Sequence, residues 1–212
     1  MFQTIFFDFD GVILDSVDVK TKAFAELFAE YGPDIQQGVV DYHLKNGGIS
    51  RYEKFSYFYK ELLKQPLSEK QSIALGDAFN QLALQGVLNS PFIPGAEETL
   101  QALYAKHIPM FVVSGTPHDE VNAIVDKRGL RKYFKEVHGS PKTKAAIIDD
   151  LACRYQFNAS QCLFVGDAMT DYDAAKAHKL PFLGVVKADE RSPFPPNTNI
   201  CHRLSYQKII EI

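Results

Sequence analysis

The chain has little cysteine, no long apolar run and no surplus of positive charge, and each shortage removes a class of function. Cysteine occurs three times, at Cys153, Cys162 and Cys201, an odd number with no C-x-x-C pair. That argues against a disulfide framework or a cysteine zinc site, and it predicts buried thiols in a reducing, cytoplasmic setting. No stretch approaches the roughly 20 apolar residues of a membrane span. Asp8 and Asp10 interrupt the one early apolar run, so no signal peptide is expected. A formal net charge of −3 supplies neither a basic stripe for nucleic acid nor a polybasic patch for a membrane. Internal repeats and low-complexity tracts are absent. So are H-E-x-x-H, G-x-x-x-x-G-K-[ST] and G-x-G-x-x-G, which removes the main support for a histidine metal site or a nucleotide cofactor.

What remains is ordinary globular composition, with 46% hydrophobic and 23% charged residues in 212. That length holds one full domain with an appended subdomain, or two small domains. The organising stretch is FFDFDGVILDS, Phe6 to Ser16. Thr4 to Phe7, with Phe9, reads as a short buried strand that Gly11 breaks. If the strand ran on to Asp10, Asp8 and Asp10 would face one spot, because residues two apart share a side. Two like charges that close need a cation or a shared proton. A solvated strand end is the plain alternative, and these residues alone do not decide.

The following stretch is helical. Phe24, Leu27, Phe28 and Tyr31 mark one helix, ended by Gly32-Pro33, and Ile35 to Lys45 marks a second. Ser50 with Glu53, and Ser68 with Gln71, read as capping boxes for a third and a fourth, the last ending near Leu84 before Gly86. Residues 16–90 therefore form a helical subdomain whose aromatic stripe is its core. Asp15 and Ser16 read as a helix cap pair at its hinge.

From Pro94 strands and helices alternate: strands at 109–113, 134–138, 162–165 and 182–186, with helices between and a short one at the C-terminus. The expected fold is α/β, a doubly wound parallel sheet of Rossmann-like form. Its core domain is discontinuous, 1–15 with 91–212, and the helical subdomain is inserted in it.

Ligands bind outside the carboxyl ends of such strands, and the polar signals fall there. One strand ends in Asp8 and Asp10, another in Ser114-Gly115-Thr116, a third in Gly166-Asp167 with Asp171 beyond. Lys142 and Lys144 open a helix nearby. Phosphoryl transfer uses such a set: carboxylates for Mg²⁺, and a hydroxyl, backbone amides and an ammonium for phosphate oxygens.

The segments DFDGVILDS, VVSGT, GSPKTKAAII and VGDAMTD resemble, in order, the four motifs of the haloacid dehalogenase-like superfamily. The insert resembles its type 1 helical cap, as in the phosphoglycolate phosphatase and β-phosphoglucomutase-like branch. The resemblance implies that Asp8 is the nucleophile, forming an aspartyl-phosphate, and that Asp10 is the general acid and base. It implies phosphate binding by Ser114, Gly115 and a lysine, and Mg²⁺ binding by Asp8, the Asp10 carbonyl and Asp167, with Asp171 behind them or as a further metal carboxylate. Lys144 fits the G-S-P-x-x-K register without mismatch. Lys142 fits K-P-x-P only with Thr143 and Ala145 in place of both prolines. Arg51, after Gly47-Gly48, resembles the specificity-loop arginine of the mutase branch.

The reading is a Mg²⁺-dependent phosphatase for a small phosphorylated metabolite, with no nucleic acid or membrane partner. Arg51 would favour a phosphomutase, but the fourth motif has Gly166-Asp167 where mutases carry an acid pair. Asp10 speaks against a dehalogenase. A phospho-acceptor signalling domain is disfavoured by the long insert and by the acid on the first strand.

Overall fold

The computed structural model describes residues 2–212. In chain order the elements are β1 (Thr4–Phe7), α1 (Val17–Leu27), α2 (Pro33–Lys45), α3 (Arg51–Tyr57), α4 (Glu69–Asn89) and α5 (Ala96–Ala105). Then come β2 (Met110–Pro117), α6 (His118–Lys127), β3 (Glu136–Ser140), α7 (Lys144–Tyr155), β4 (Cys162–Gly166), α8 (Met169–Ala177), β5 (Phe182–Val185), β6 (Ile200–Cys201) and α9 (Tyr206–Ile210). The strands form one parallel sheet in the order β3-β2-β1-β4-β5-β6. Parallel neighbours require long crossovers, which helices supply as far as β5 and a loop, 186–199, supplies between β5 and β6.

Strand alternation divides the core. Ile5, Phe7, Met110, Val112, Leu163 and Val165 join one buried cluster, while Phe6, Phe111, Val113, Cys162 and Phe164 join the other. The first cluster continues into the inserted helices through Phe24, Phe28, Phe55, Phe58 and Phe79. The Phe24 and Phe79 rings lie 4.3 Å apart and the Phe28 and Phe58 rings 5.2 Å. Each such phenylalanine contributes about 1.5–3 kcal/mol by leaving water. The aromatic stripe is therefore core.

From β1 the chain builds outward through β2 and β3, then returns to the other side for β4, β5 and β6. The crevice at this reversal lies beyond the carboxyl ends of β1 and β4.

Several expectations need correction. β1 stops at Phe7, so alternation does not carry Asp10. α4 runs through Gly86 to Asn89 because Gly86 lies against Val19 of α1, where a Cβ would come within 2.6 Å of Val19 Cγ1. Ser68 and Gln71 do form a capping box, whereas Ser50 caps α3 through the Tyr52 amide without Glu53. β2 continues through Ser114-Gly115-Thr116 to Pro117, with an irregular register after Val113. β3 lies two residues later than expected, and the two-residue β6 carried no apolar run that could have announced it. All three cysteines are free, but Cys153 is exposed rather than buried. No helix among the described residues is long and apolar enough to cross a membrane.

Candidate active site

After β1 the Asp8 amide still pairs with the Val165 carbonyl at 2.9 Å, holding Asp8 beside β4. The chain then turns sharply: Ile13 and Leu14 both donate to the Phe9 carbonyl, and Gly11 adopts φ +78. A Cβ at Gly11 would fall 2.2 Å from Asp167 Oδ2, so only glycine lets this turn approach the β4 acid. The turn separates the two acids into different partner sets.

Asp8 accepts from the Phe9 amide at 2.7 Å on Oδ1 and from Lys144 Nζ at 2.7 Å on Oδ2. Lys144 also reaches Asp171 at 2.5 Å, and Asp171 in turn accepts from the Ala168 amide at 3.1 Å. Thr143 caps α7 through the Ala146 amide, which sets Lys144 as the first helical residue, pointing inward. Lys142 is exposed, its nearest acid being Asp150 at 3.9 Å. Of the two lysines, the structure brings Lys144 to the acids.

Asp8, Asp167 and Asp171 form a cluster whose ligand atoms lie within 4.8 Å of one another. One ammonium faces three carboxylates. Burial pushes the Asp8 carboxyl up to about 7, against the pull of Lys144, and Asp171 adds to the rise. Burial, then Asp8, also raises Asp167 well above the carboxylate range. For Lys144, burial works against the charged form, but Asp171 and Asp8 outweigh it and raise its pKa. An excess of buried oxygen charge at this spacing suits a hard divalent cation. Asp8 and Asp167 would hold it, with Asp171 committed to Lys144.

This has a consequence for stability. Asp8 keeps in the folded, metal-free protein a proton that the unfolded chain releases near pH 4. The folded state then binds more protons, so metal-free stability falls as pH rises from about 4 to about 7. A divalent cation bound by Asp8 would displace that proton. The rise in melting temperature on adding Mg²⁺ is expected to be larger at about pH 7.5 than at about pH 5, a comparison calorimetry makes directly.

Asp10 is the centre of a second network. Its Oδ1 accepts from Ser16 Oγ at 2.6 Å, and its Oδ2 from Lys20 Nζ at 2.5 Å and Thr116 Oγ1 at 2.8 Å. Lys20 also donates to Thr116 at 2.6 Å. Ser16 thus occupies the cap position of α1 but spends its hydroxyl on Asp10. Burial would raise the Asp10 pKa, yet Lys20 and the hydroxyls hold it below its usual value. With Asp10 as general acid and base, Lys20→Met is expected to move the limb of the kcat–pH profile that Asp10 sets to higher pH, since the Asp10 carboxylate then forms later. An unmoved limb in a folded variant would contradict the role of Lys20.

Ser114 is buried, its Oγ accepting from the Thr116 amide at 3.1 Å, and with Gly115 it lines a cavity of about 650 Å³ that also reaches Asp8, Asp10 and Asp167. Thr170 Oγ1 donates to the Gly47 carbonyl at 2.9 Å, so the α2–α3 loop lies over the β4 end. Arg51 is buried, pairing with Glu120 on α6 at 2.6 Å and covering the Phe79 ring at 4.3 Å. Its guanidinium bridges the inserted helices to the sheet domain. His118 is exposed at the start of α6, and Lys187 pairs with Asp15 and Asp18 at 3.2 Å each beside the cavity.

Sequence reasoning passed over Lys20, His43, Lys54 and Glu120. For three of them a signal exists: Lys20 stands four residues before Phe24, His43 four after Val39, and Lys54 four before Phe58. A polar residue in line with an apolar stripe is buried with it.

The family profile described as haloacid dehalogenase-like hydrolase matches residues 2–179. Phosphoglycolate phosphatase of Vibrio parahaemolyticus is 30% identical over 183 residues, covering 82% of this chain and 79% of its own. Among solved structures, beta-phosphoglucomutase from Clostridium difficile superposes with a TM-score of 0.78 at 20% identity, over 100% of this chain and 96% of its own. CbbY from Rhodobacter sphaeroides, in complex with phosphate, gives 0.73 at 16% identity, over 96% and 95%. The last two speak to the fold alone.

Proposed function

The chain belongs to the haloacid dehalogenase-like hydrolase family and is a phosphatase; we propose that it hydrolyses small phosphate monoesters through an aspartyl-phosphate on Asp8. The observation that carries this reading is the buried Asp8–Lys144–Asp171 chain at the carboxyl end of β1, beside Asp167. Helices α1–α4, within residues 16–90, act as a cap that closes over the ester and limits water.

Ser114 Oγ, the Gly115 amide and Lys144 bind the phosphoryl oxygens. Asp8 attacks phosphorus, and the bond to the ester oxygen breaks. Asp10 gives its proton to the leaving alkoxide, then takes one from the water that attacks the phosphoenzyme, releasing phosphate and restoring Asp8. Lys20, with Ser16 and Thr116, holds the Asp10 pKa below its ordinary value, which favours the carboxylate that the second step needs. Mg²⁺, held by Asp8, Asp167 and the Asp10 carbonyl, would supply neutralising charge at the phosphoryl oxygens.

Arg51 is engaged by Glu120, which weighs against its use on a second phosphate and so against a mutase. The test is hydrolysis of simple phosphate esters, with phosphoglycolate first among them because the relatives bear that name. Activity should require Mg²⁺, and Ca²⁺, with its larger and looser coordination, should replace it poorly. Full activity after exhaustive chelation would contradict the metal site.

A further inference from the structure

The inserted helices bring one cation to the cavity wall already neutralised, and the acid that neutralises it stands outside the cavity. Arg51 opens α3 and lines the cavity that also reaches Asp8, Ser114 and Gly115, whereas Glu120, in the first turn of α6, does not line it. The pair is buried, with 5% of the Arg51 side chain and 12% of the Glu120 side chain exposed. Nη2 donates to Glu120 Oε1 at 2.6 Å, and Nη1 has only a long contact, 3.4 Å, to the Gly76 carbonyl. A guanidinium has five N–H groups, so donors remain to spare. The Phe79 ring, 4.3 Å away, supports its plane.

The chain just before Arg51 lies on the phosphate end of the cavity. A Cβ at Gly115 would fall 2.3 Å from the Gly48 carbonyl oxygen and 3.3 Å from the Ile49 carbonyl carbon. Arg51 follows two residues later, and consecutive Cα atoms are about 3.8 Å apart. An ester bound at Ser114 and Gly115 therefore needs only a short carbon chain to bring a second group to Arg51. A second phosphate carries a charge of about −1.5 to −2 at neutral pH. Added beside the Arg51–Glu120 pair, it would crowd like charges around one guanidinium. Drawing Arg51 away would instead leave the buried Glu120 carboxylate without the cation it pairs with. Both routes are costly.

We propose that Glu120 is a specificity-determining residue: by neutralising Arg51 from behind the cavity wall, it turns away esters that carry a second phosphate. It touches no substrate and acts through Arg51. The inference rests on the phosphatase reading only for where the first phosphate sits.

The experiment pairs ethyl, propyl and butyl phosphate with the bisphosphates of the diols of the same length. With Mg²⁺, the wild-type protein should favour the monophosphate of each pair in kcat/KM. Glu120→Gln keeps the shape and an acceptor for Nη2 but removes the charge. It should raise the bisphosphate-to-monophosphate ratio by about 10- to 100-fold at one chain length or more, the worth of a hydrogen bond to a charged group. Adding Arg51→Met to Glu120→Gln should cancel the gain. An ion pair that merely held the helices together would change both esters of a pair alike and leave the ratio unmoved. A wild-type preference for a bisphosphate, an unmoved ratio in folded Glu120→Gln, or a gain that survives Arg51→Met would overturn the proposal. Should Glu120→Gln not fold, the double variant Arg51→Met, Glu120→Met decides, since apolar residues usually replace a buried ion pair without loss of stability. A ratio like the wild type's shows Arg51 out of service and upholds the proposal; a fall of about 10-fold shows Arg51 already at work on the second phosphate and overturns it. If no ester is hydrolysed, the phosphatase reading falls, and calorimetry with propanediol bisphosphate decides alone. Binding about 10-fold tighter in Glu120→Gln upholds the role of Glu120, and equal or absent binding overturns it.

Discussion

Asp8→Asn is expected to lower kcat by at least about 10⁴-fold, the scale of losing a covalent nucleophile, while the protein stays folded. The asparagine side-chain oxygen can still accept from the Phe9 amide, and Lys144 keeps Asp171 at 2.5 Å, so the buried cation keeps a counter-ion although an amide NH₂ replaces Oδ2 opposite it. One of three crowded carboxylates is gone, which offsets part of the lost ion pair. Steady-state hydrolysis of a generic phosphate ester is the readout, alongside the melting temperature. Near-wild-type turnover by a folded Asp8→Asn protein would remove Asp8 from the chemistry.

The second large effect separates Lys144 from Lys142. Lys144→Ala is expected to cost about 10²–10³ in kcat, as for loss of a preorganised donor that strengthens in the transition state. It will also lower stability, by about 3–5 kcal/mol, because Asp8 and Asp171 lose their buried counter-ion. Rates must therefore be taken below the variant's melting temperature and with Mg²⁺ present. Lys142→Ala removes an exposed charge whose nearest acid is 3.9 Å away, and kcat should change no more than a few-fold. An inactive Lys142→Ala with an active Lys144→Ala would reverse the two assignments.

The sheet was legible because its strands are short apolar runs ended by glycine or polar residues, and because the helices between them force a parallel arrangement. The helical insert was legible from aromatic spacing at Phe24, Phe28, Phe55 and Phe58. Where the reading failed, packing had overruled a local signal. Gly86 looks like a helix stop, yet it lies inside α4 because Val19 needs the space. Ser16 looks like a helix cap, yet its hydroxyl goes to a half-buried carboxylate that offers a stronger bond.

The strand-end acids were read as one mutually repelling pair. The tight turn at Gly11 gives each its own lysine instead, and no spacing rule announces that Lys20, ten residues after Asp10, returns to it. Lys20, working with Ser16 and Thr116 against burial, holds the Asp10 pKa below its ordinary value. Glu120 was invisible for a related reason: a charged residue on an amphipathic helix says nothing of an arginine 69 positions earlier.

The aspartyl-phosphate is tested most directly by trapping it. The wild-type protein with Mg²⁺ is mixed with an ester radiolabelled in its phosphoryl group, quenched in acid within the first turnover, and digested. Label on the peptide carrying Asp8, absent from the same peptide of Asp8→Asn, is the predicted result. A wild-type protein that hydrolyses the ester through that turnover with no label on any peptide, or with label on a peptide lacking Asp8, would contradict the account.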